Sequence, residues 1–152
     1  MINEQKYENA ILYFTTYCKN KYLGNTKLNK LMYYLDFVFY RDNKISVTGD
    51  VYRKLEYGPV GKNILECLKN LKHKNCIKIE NYEGFNKYTA LVEPNLSVFS
   101  EKEIELLQKI TDTFLHYTTD KIVSQTHFEA PWLYTEILED IDYSFASDID
   151  II

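Results

Sequence analysis

In KLNKLMYYLDFVFY, residues 27–40, nearly every position is apolar, aromatic or long. Leu28, Leu31, Leu35 and Val38 recur at helical spacing and form one face, which Met32 and Phe39 widen. Thr26, just before the run, is a good N-cap. The remaining positions leave almost no polar side to turn toward water. This helix is therefore expected to be covered on more than one side and to be the central helix of the core. Tyr33 and Tyr34 stand about 100° apart on it, so both cannot enter the stripe of Leu31 and Leu35. At least one of them is expected at the edge of the core, where a tyrosine can anchor a partner. Lys27 and Lys30, one turn earlier, are expected to offer charge to an acidic patch on that partner.

On the N-terminal side, Tyr7, Ile11, Phe14 and Cys18 share one helical stripe over residues 4–18. On the C-terminal side, YRDNKISVTGD breaks the period, and VYRKLEY, residues 51–57, reads as a short strand. In LEYGPV, residues 55–60, Gly58 gives freedom in φ. Pro59 suits the first turn of a helix, so the stretch reads as a strand-to-helix junction leading into a helix over 60–72. Tyr57 is expected to line a partner groove. CIKIENYEGFNKYTAL, residues 76–91, alternates around Glu83–Gly84 and predicts a hairpin. Ser100 followed by Glu103 is a capping-box pattern before Ile104, Leu107, Ile110 and Phe114. Shorter helices are expected over 119–126 and 132–141. The expected fold class is α+β: a mainly helical single domain over 1–143, with a hairpin and short strands, and an acidic, loosely held tail over 144–152.

The chain has 152 residues, enough for one domain with a real core. The three cysteines are odd in number and widely spaced, and no signal-peptide pattern precedes them, which points to reduced thiols in the cytoplasm. No apolar run reaches the length of a membrane span. Charge is polarised. Lysines and arginines exceed acids up to residue 80, acids dominate beyond it, and Glu129 to the end carries seven acids with no lysine or arginine.

No constellation for catalysis emerges. The histidines form no HExxH pair, no cysteines stand at CxxC spacing, and no phosphate loop occurs. The trio Cys67, His73 and Cys76 sits among lysines at a polar helix end and reads as non-metal. Glu101, Glu103 and Glu105 read as a solvated first helical turn. No cofactor is expected. The helix over 60–72 with the hairpin over 76–91 has the order of a recognition helix and wing, with Lys62, Lys69, Lys72, Lys74 and Lys78 nearby. Acidic Glu80 and Glu83 at the wing, and the absence of base-reading arginines, favour a solvated lysine face over DNA contact.

Three stretches taken together carry a family resemblance. A KLxKLxYY helix (Lys27, Leu28, Lys30, Leu31, Tyr33, Tyr34), a YGPV turn (Tyr57, Gly58, Pro59, Val60) and a late HxxxPW element (His127, Pro131, Trp132) resemble the Panacea, or SocA-like antitoxin, domain. The resemblance implies an antitoxin that neutralises a cognate protein toxin by binding it, without catalysis. One member of that family is an adaptor presenting its toxin to a protease, and relatives occur in phages. A host protease or another host protein is thus a further partner class, while nucleic acid and membrane are not expected. The alternatives are a DNA-binding regulator built on the helix and hairpin, or a phage or mobile-element accessory protein or proteolytic adaptor; the oligomeric state stays open. Trp132 is expected to be largely buried, stapling a turn near YGPV.

Overall fold

A computed structural model describes residues 1–19 and 23–152. Helix α1 spans Glu4–Tyr17 and helix α2 spans Asn25–Asn43. Strands β1 (Tyr52–Leu55) and β2 (Gly58–Gly61) form one antiparallel hairpin. Helix α3 (Ile64–His73) leads into a second hairpin of β3 (Ile77–Tyr82) and β4 (Phe85–Ala90). Helices α4 (Glu101–Phe114), α5 (Thr119–His127) and α6 (Ala130–Leu133) follow, and a 3-10 segment covers Tyr143–Asp148. The fold is α+β and mostly helical, with two small hairpins.

Helix α2 is the axis of this arrangement. Every residue from Lys27 to Phe39 is buried, so the helix is covered all round rather than on one stripe. Helices α1, α4 and α5, strand β2 and the C-terminal 3-10 segment pack around it. Its N-cap is Gly24 in an extended conformation, not Thr26, which lies inside the first turn. The α1 stripe of Tyr7, Ile11, Phe14 and Cys18 is wholly buried. Ser100 and Glu103 close the expected capping box on α4. Glu103 is not solvated, however: it is buried and its carboxylate accepts from Lys6 Nζ at 2.9 Å.

The YGPV stretch departs from the sequence reading. Gly58 and Pro59 lie in the second strand of a hairpin, with Glu56–Tyr57 as its two-residue turn, and the helix begins later, at Ile64. Asn63 rather than Pro59 sets that start: its backbone N–H and side-chain amide both donate to Asp50. Pro59 is tolerated because its partner Lys54 turns both backbone groups away from β2. Lys54 N–H donates to Glu139 O at 3.0 Å and Lys54 O accepts from Leu138 N–H at 2.8 Å. At this position the ladder asks for no N–H from the proline.

Those two bonds also explain a second departure. Residues 132–141 are not a helix. Helix α6 stops at Leu133, and residues 138–141 run antiparallel beside β1, with Ile141 N–H donating to Tyr52 O at 2.8 Å. The hairpin over 76–91 forms as expected. Its Glu83–Gly84 turn takes φ of 49° and 85°, the paired left-handed geometry of a tight hairpin, although glutamate rarely adopts it.

The acidic tail is packed, not loose. Ala146 and Ile149 are buried, Phe37 and Tyr143 stack at 4.3 Å between ring centroids, and Tyr143 Oη donates to Asp50 O at 2.6 Å. Arg41 of α2 donates to the carbonyls of Ile149 and Ile152. The tail covers the far end of a helix that is buried on every side, and that demand outweighs the entropy of a free terminus. Ile149→Ala is expected to destabilise the protein by roughly 2–4 kcal/mol in urea unfolding, against no more than about 0.5 kcal/mol for exposed Ser147→Ala.

Candidate functional site

Burying α2 completely takes its polar side chains inside, and all but Asn29, which bonds Asn25 one turn back, find a partner on another element. Lys27 Nζ donates to the carbonyls of Leu115 and Tyr117, at 3.2 and 2.7 Å, just past the end of α4. A cation there meets the negative end of the α4 dipole. Lys30 Nζ donates to Pro59 O at 2.8 Å. Tyr33 and Tyr34 each donate to one oxygen of Glu129, both at 2.9 Å. Asp36 accepts from the Thr48 amide and hydroxyl and from Tyr52 Oη.

Four expected partner-binding residues are therefore interior. Lys27, Lys30, Tyr33 and Tyr34 are at most 1% exposed. The tyrosine pair reaches no surface because Glu129, between α5 and α6, supplies an interior acceptor for both hydroxyls. The lysines are held by main-chain carbonyls, so neither offers charge to a partner. No local pattern marks Glu129 in the sequence; its place inside the HxxxPW element is the available signal.

Burial leaves its mark on these groups. It pulls the Lys30 ammonium down to about 7 and lowers Lys27 as well. Asp36 is pushed up to about 6 by burial, against the pull of hydrogen bonds from Thr48 and Tyr52. Burial also raises Glu129, partly offset by the bonds from Tyr34, Gln125 and Tyr33. The phenols of Tyr33 and Tyr34 are raised by burial and by the adjacent Glu129 charge.

The interior anchors converge on the end of the β1–β2 hairpin. Gly58 has φ of 108°, and a Cβ there would lie 2.5 Å from Lys30 Cε and 2.8 Å from Thr126 Oγ1. Only glycine fits, both for the backbone and for the close approach of α2 and α5. Trp132 Nε1 donates to Leu55 O at 2.9 Å, and His127 Nε2 lies 3.1 Å from Glu56 O, where its N–H donates. The His127 and Trp132 rings stack at 4.0 Å, and Lys54 Nζ sits 3.8 Å above the indole. Pro131 is buried in the first turn of α6. YGPV and HxxxPW thus meet as expected, but Trp132 is half-buried, a bracket on the hairpin rather than a core ring.

What this bracket presents to solvent is apolar. Tyr57 is 63% exposed at the hairpin turn and Leu65 is 70% exposed on α3. Between them opens a groove of about 310 Å³, walled by Leu55, Tyr57, Val60, Ile64 and Leu65, with Lys30 and Asn29 at its base. Phe128, Leu133 and Tyr134 are exposed on the other side of the turn. Leu65 repeats at helical spacing with Ile64, Leu68 and Leu71 and reads from the sequence as part of the apolar face of that helix, yet it is exposed while the other three are buried; Phe128 carries no periodic signal.

Other expected sites are less assembled. Lys74 is paired with Glu8, Lys78 lies 3.8 Å from Glu80, and Lys62 is paired with Asp140. Lys69 and Lys72 are exposed. Cys18 and Cys67 are buried, with thiols pushed up by burial to about 11 and about 12. Among the described residues no group of three His, Cys, Asp or Glu side chains could hold a metal ion. No helix among them is long and apolar enough to cross a membrane.

The buried lysine makes a pH prediction. An unfolded lysine titrates near ~10.4, whereas Lys30 in the fold does so at about 7. Between those values the unfolded chain holds the extra proton, so stability rises with pH, by up to ~1.4 kcal/mol per pH unit. Above about pH 8.5 the raised Cys18 and Cys67 thiols oppose this slope, and above about pH 10 the raised tyrosines reverse it, because these groups ionise first in the unfolded chain. Urea midpoints are expected to climb between about pH 7 and 8.5, and Lys30→Met is expected to flatten the climb, leaving the share of Lys27.

The model of the family described as "Antitoxin SocA-like, Panacea domain" matches residues 28–133. No curated protein and no solved structure matches the chain at a significant level. The matched span begins at the second residue of the KLxKLxYY element and ends just after Trp132, so it takes in α2 from Leu28 onward, the β1–β2 hairpin and the bracket that joins them. The chain belongs to the SocA-like antitoxin, Panacea domain family, which is associated with toxin–antitoxin systems.

Proposed function

We propose that the protein is an antitoxin that neutralises a cognate protein toxin by binding it directly, with the end of the β1–β2 hairpin as the centre of its contact surface. The observation that carries this reading is the pairing of a rigidly held turn with exposed apolar side chains. Tyr57 and Leu65 flank a groove of about 310 Å³, while the backbone behind them is fixed by Lys30, His127 and Trp132. An exposed tyrosine beside an apolar groove is the usual form of a protein-binding hot spot. A preformed surface also avoids the entropy cost of ordering a loop on binding. Among the described residues the site pairs no nucleophile with a base, which favours a binding role over a catalytic one. The family association supports a toxin as the partner.

Of the five partner-binding residues expected from the sequence, Tyr57 keeps that role in this proposal. Lys27, Lys30, Tyr33 and Tyr34 act behind the surface, by holding the hairpin and the α5–α6 junction in place. The test is co-expression with the product of a neighbouring small reading frame that is toxic alone. Tyr57→Ala combined with Leu65→Ser is expected to abolish rescue of growth while the melting temperature stays within about 2 °C of the parent. Rescue by the double variant moves the contact surface elsewhere, and a wild-type chain that rescues no toxic neighbour removes the antitoxin reading.

A further inference from the structure

The segment that follows α6 supplies main chain to β1, but its side chains have a composition that this pairing does not require. Leu133, Tyr134, Ile137 and Leu138 are 48–70% exposed. Glu136, Glu139 and Asp140 alternate with them and are exposed too. The segment is not a free loop. Leu138 and Glu139 are bonded to Lys54 of β1, Thr135 Oγ1 donates to Pro131 O at 2.8 Å, and the Tyr134 ring lies 6.0 Å from that of Phe145. Leu138 has φ of 69°, a conformation that leucine rarely adopts, and its side chain remains in solvent. The backbone there serves Lys54, but the exposed leucine side chain adds no packing to the fold, and a strained position carrying a large exposed apolar group is typical of sites kept for contact.

Charge narrows what that contact is. The nearby cations are already engaged: Arg53 and Lys62 lie at 3.9 and 2.8 Å from Asp140, and Lys54 covers the Trp132 ring. Glu136, Glu139 and, at the hairpin turn, Glu56 form no ion pair among the described residues. An apolar strip edged with unpaired carboxylates repels nucleic-acid phosphate, anionic headgroups and the same strip on a second copy of the chain. It complements a segment that is apolar on one side and cationic at its edges.

We propose that residues 133–140, continuous with the Tyr57 turn, dock a basic amphipathic segment of the partner protein. That the partner is a toxin rests on the function proposed above; the chemistry of the docked segment does not. The family-matched span ends at Leu133, so the strip lies almost wholly outside it. Recognition written there belongs to this chain and its own partner.

The test uses the full chain, labelled with 15N, and two amphipathic helical peptides of about 18 residues, one of leucine and lysine and one of leucine and glutamate. The lysine peptide is expected to shift the amides of residues 133–140 and of the Glu56–Tyr57 turn, and the glutamate peptide to leave them in place. Its affinity is expected to fall about tenfold between roughly 50 and 300 mM salt. Glu136→Lys with Glu139→Lys, or Ile137→Ser with Leu138→Gly, is expected to remove the shifts while circular dichroism melting confirms the fold. Equal binding of both peptides, shifts centred on another surface, or indifference to charge reversal would overturn the proposal. In cells, rescue from a toxin by the wild type that survives Glu136→Lys with Glu139→Lys overturns the strip and leaves the antitoxin reading standing. Peptide binding at the strip by a chain that rescues no toxic neighbour sustains the strip and removes the antitoxin reading.

Discussion

A helix covered on every side cannot leave a polar group to water, and α2 carries Lys27, Asn29, Lys30, Tyr33, Tyr34 and Asp36 into the interior. Each unmet buried donor or acceptor would cost on the order of 1–3 kcal/mol, and more if charged. The surrounding elements are placed so as to meet them. Lys27 fixes the exit of α4, Lys30 fixes β2, the tyrosine pair fixes the α5–α6 junction, and Asp36 fixes the approach to β1. The apolar side chains of α2 supply the cohesion, and its polar ones supply the address of each neighbour. An Asn29 side-chain oxygen without a partner is the exception, and it lies at the base of the groove beside Tyr57.

The sequence made this helix legible because apolar periodicity and aromatic density are local properties. The same holds for the α1 stripe, the capping box of α4 and the β3–β4 hairpin. It misled where a residue type fits two local structures. Pro59 is as acceptable at a non-hydrogen-bonded strand position as in a first helical turn, and only the outward-facing backbone of Lys54 decides between them. Residues 132–141 have enough apolar spacing for a helix, yet the open edge of β1 takes their backbone instead. The exposed placement expected for Tyr33 or Tyr34 failed for a related reason. Two tyrosines 100° apart on a helix can both be interior if one carboxylate bridges them, and Glu129 lies 95 and 96 residues away along the chain. Long-range polar pairing leaves no local signal. Exposure is hard to read as well, since Tyr57 and Leu65 look like any other apolar residues in the string.

The anchors behind the hairpin share one property. Trp132 grips the carbonyl of Leu55, His127 that of Glu56 and Lys30 that of Pro59. All three hold main chain, and none holds a side chain of the turn itself. The shape of the turn is thus independent of which side chains sit at positions 56 and 57, provided that glycine follows. A lineage carrying this scaffold can exchange those two residues and change the surface of the turn without refolding. With the turn as the contact surface proposed above, specificity and stability are encoded at separate positions, so selection for a new partner need not compete with selection for the fold.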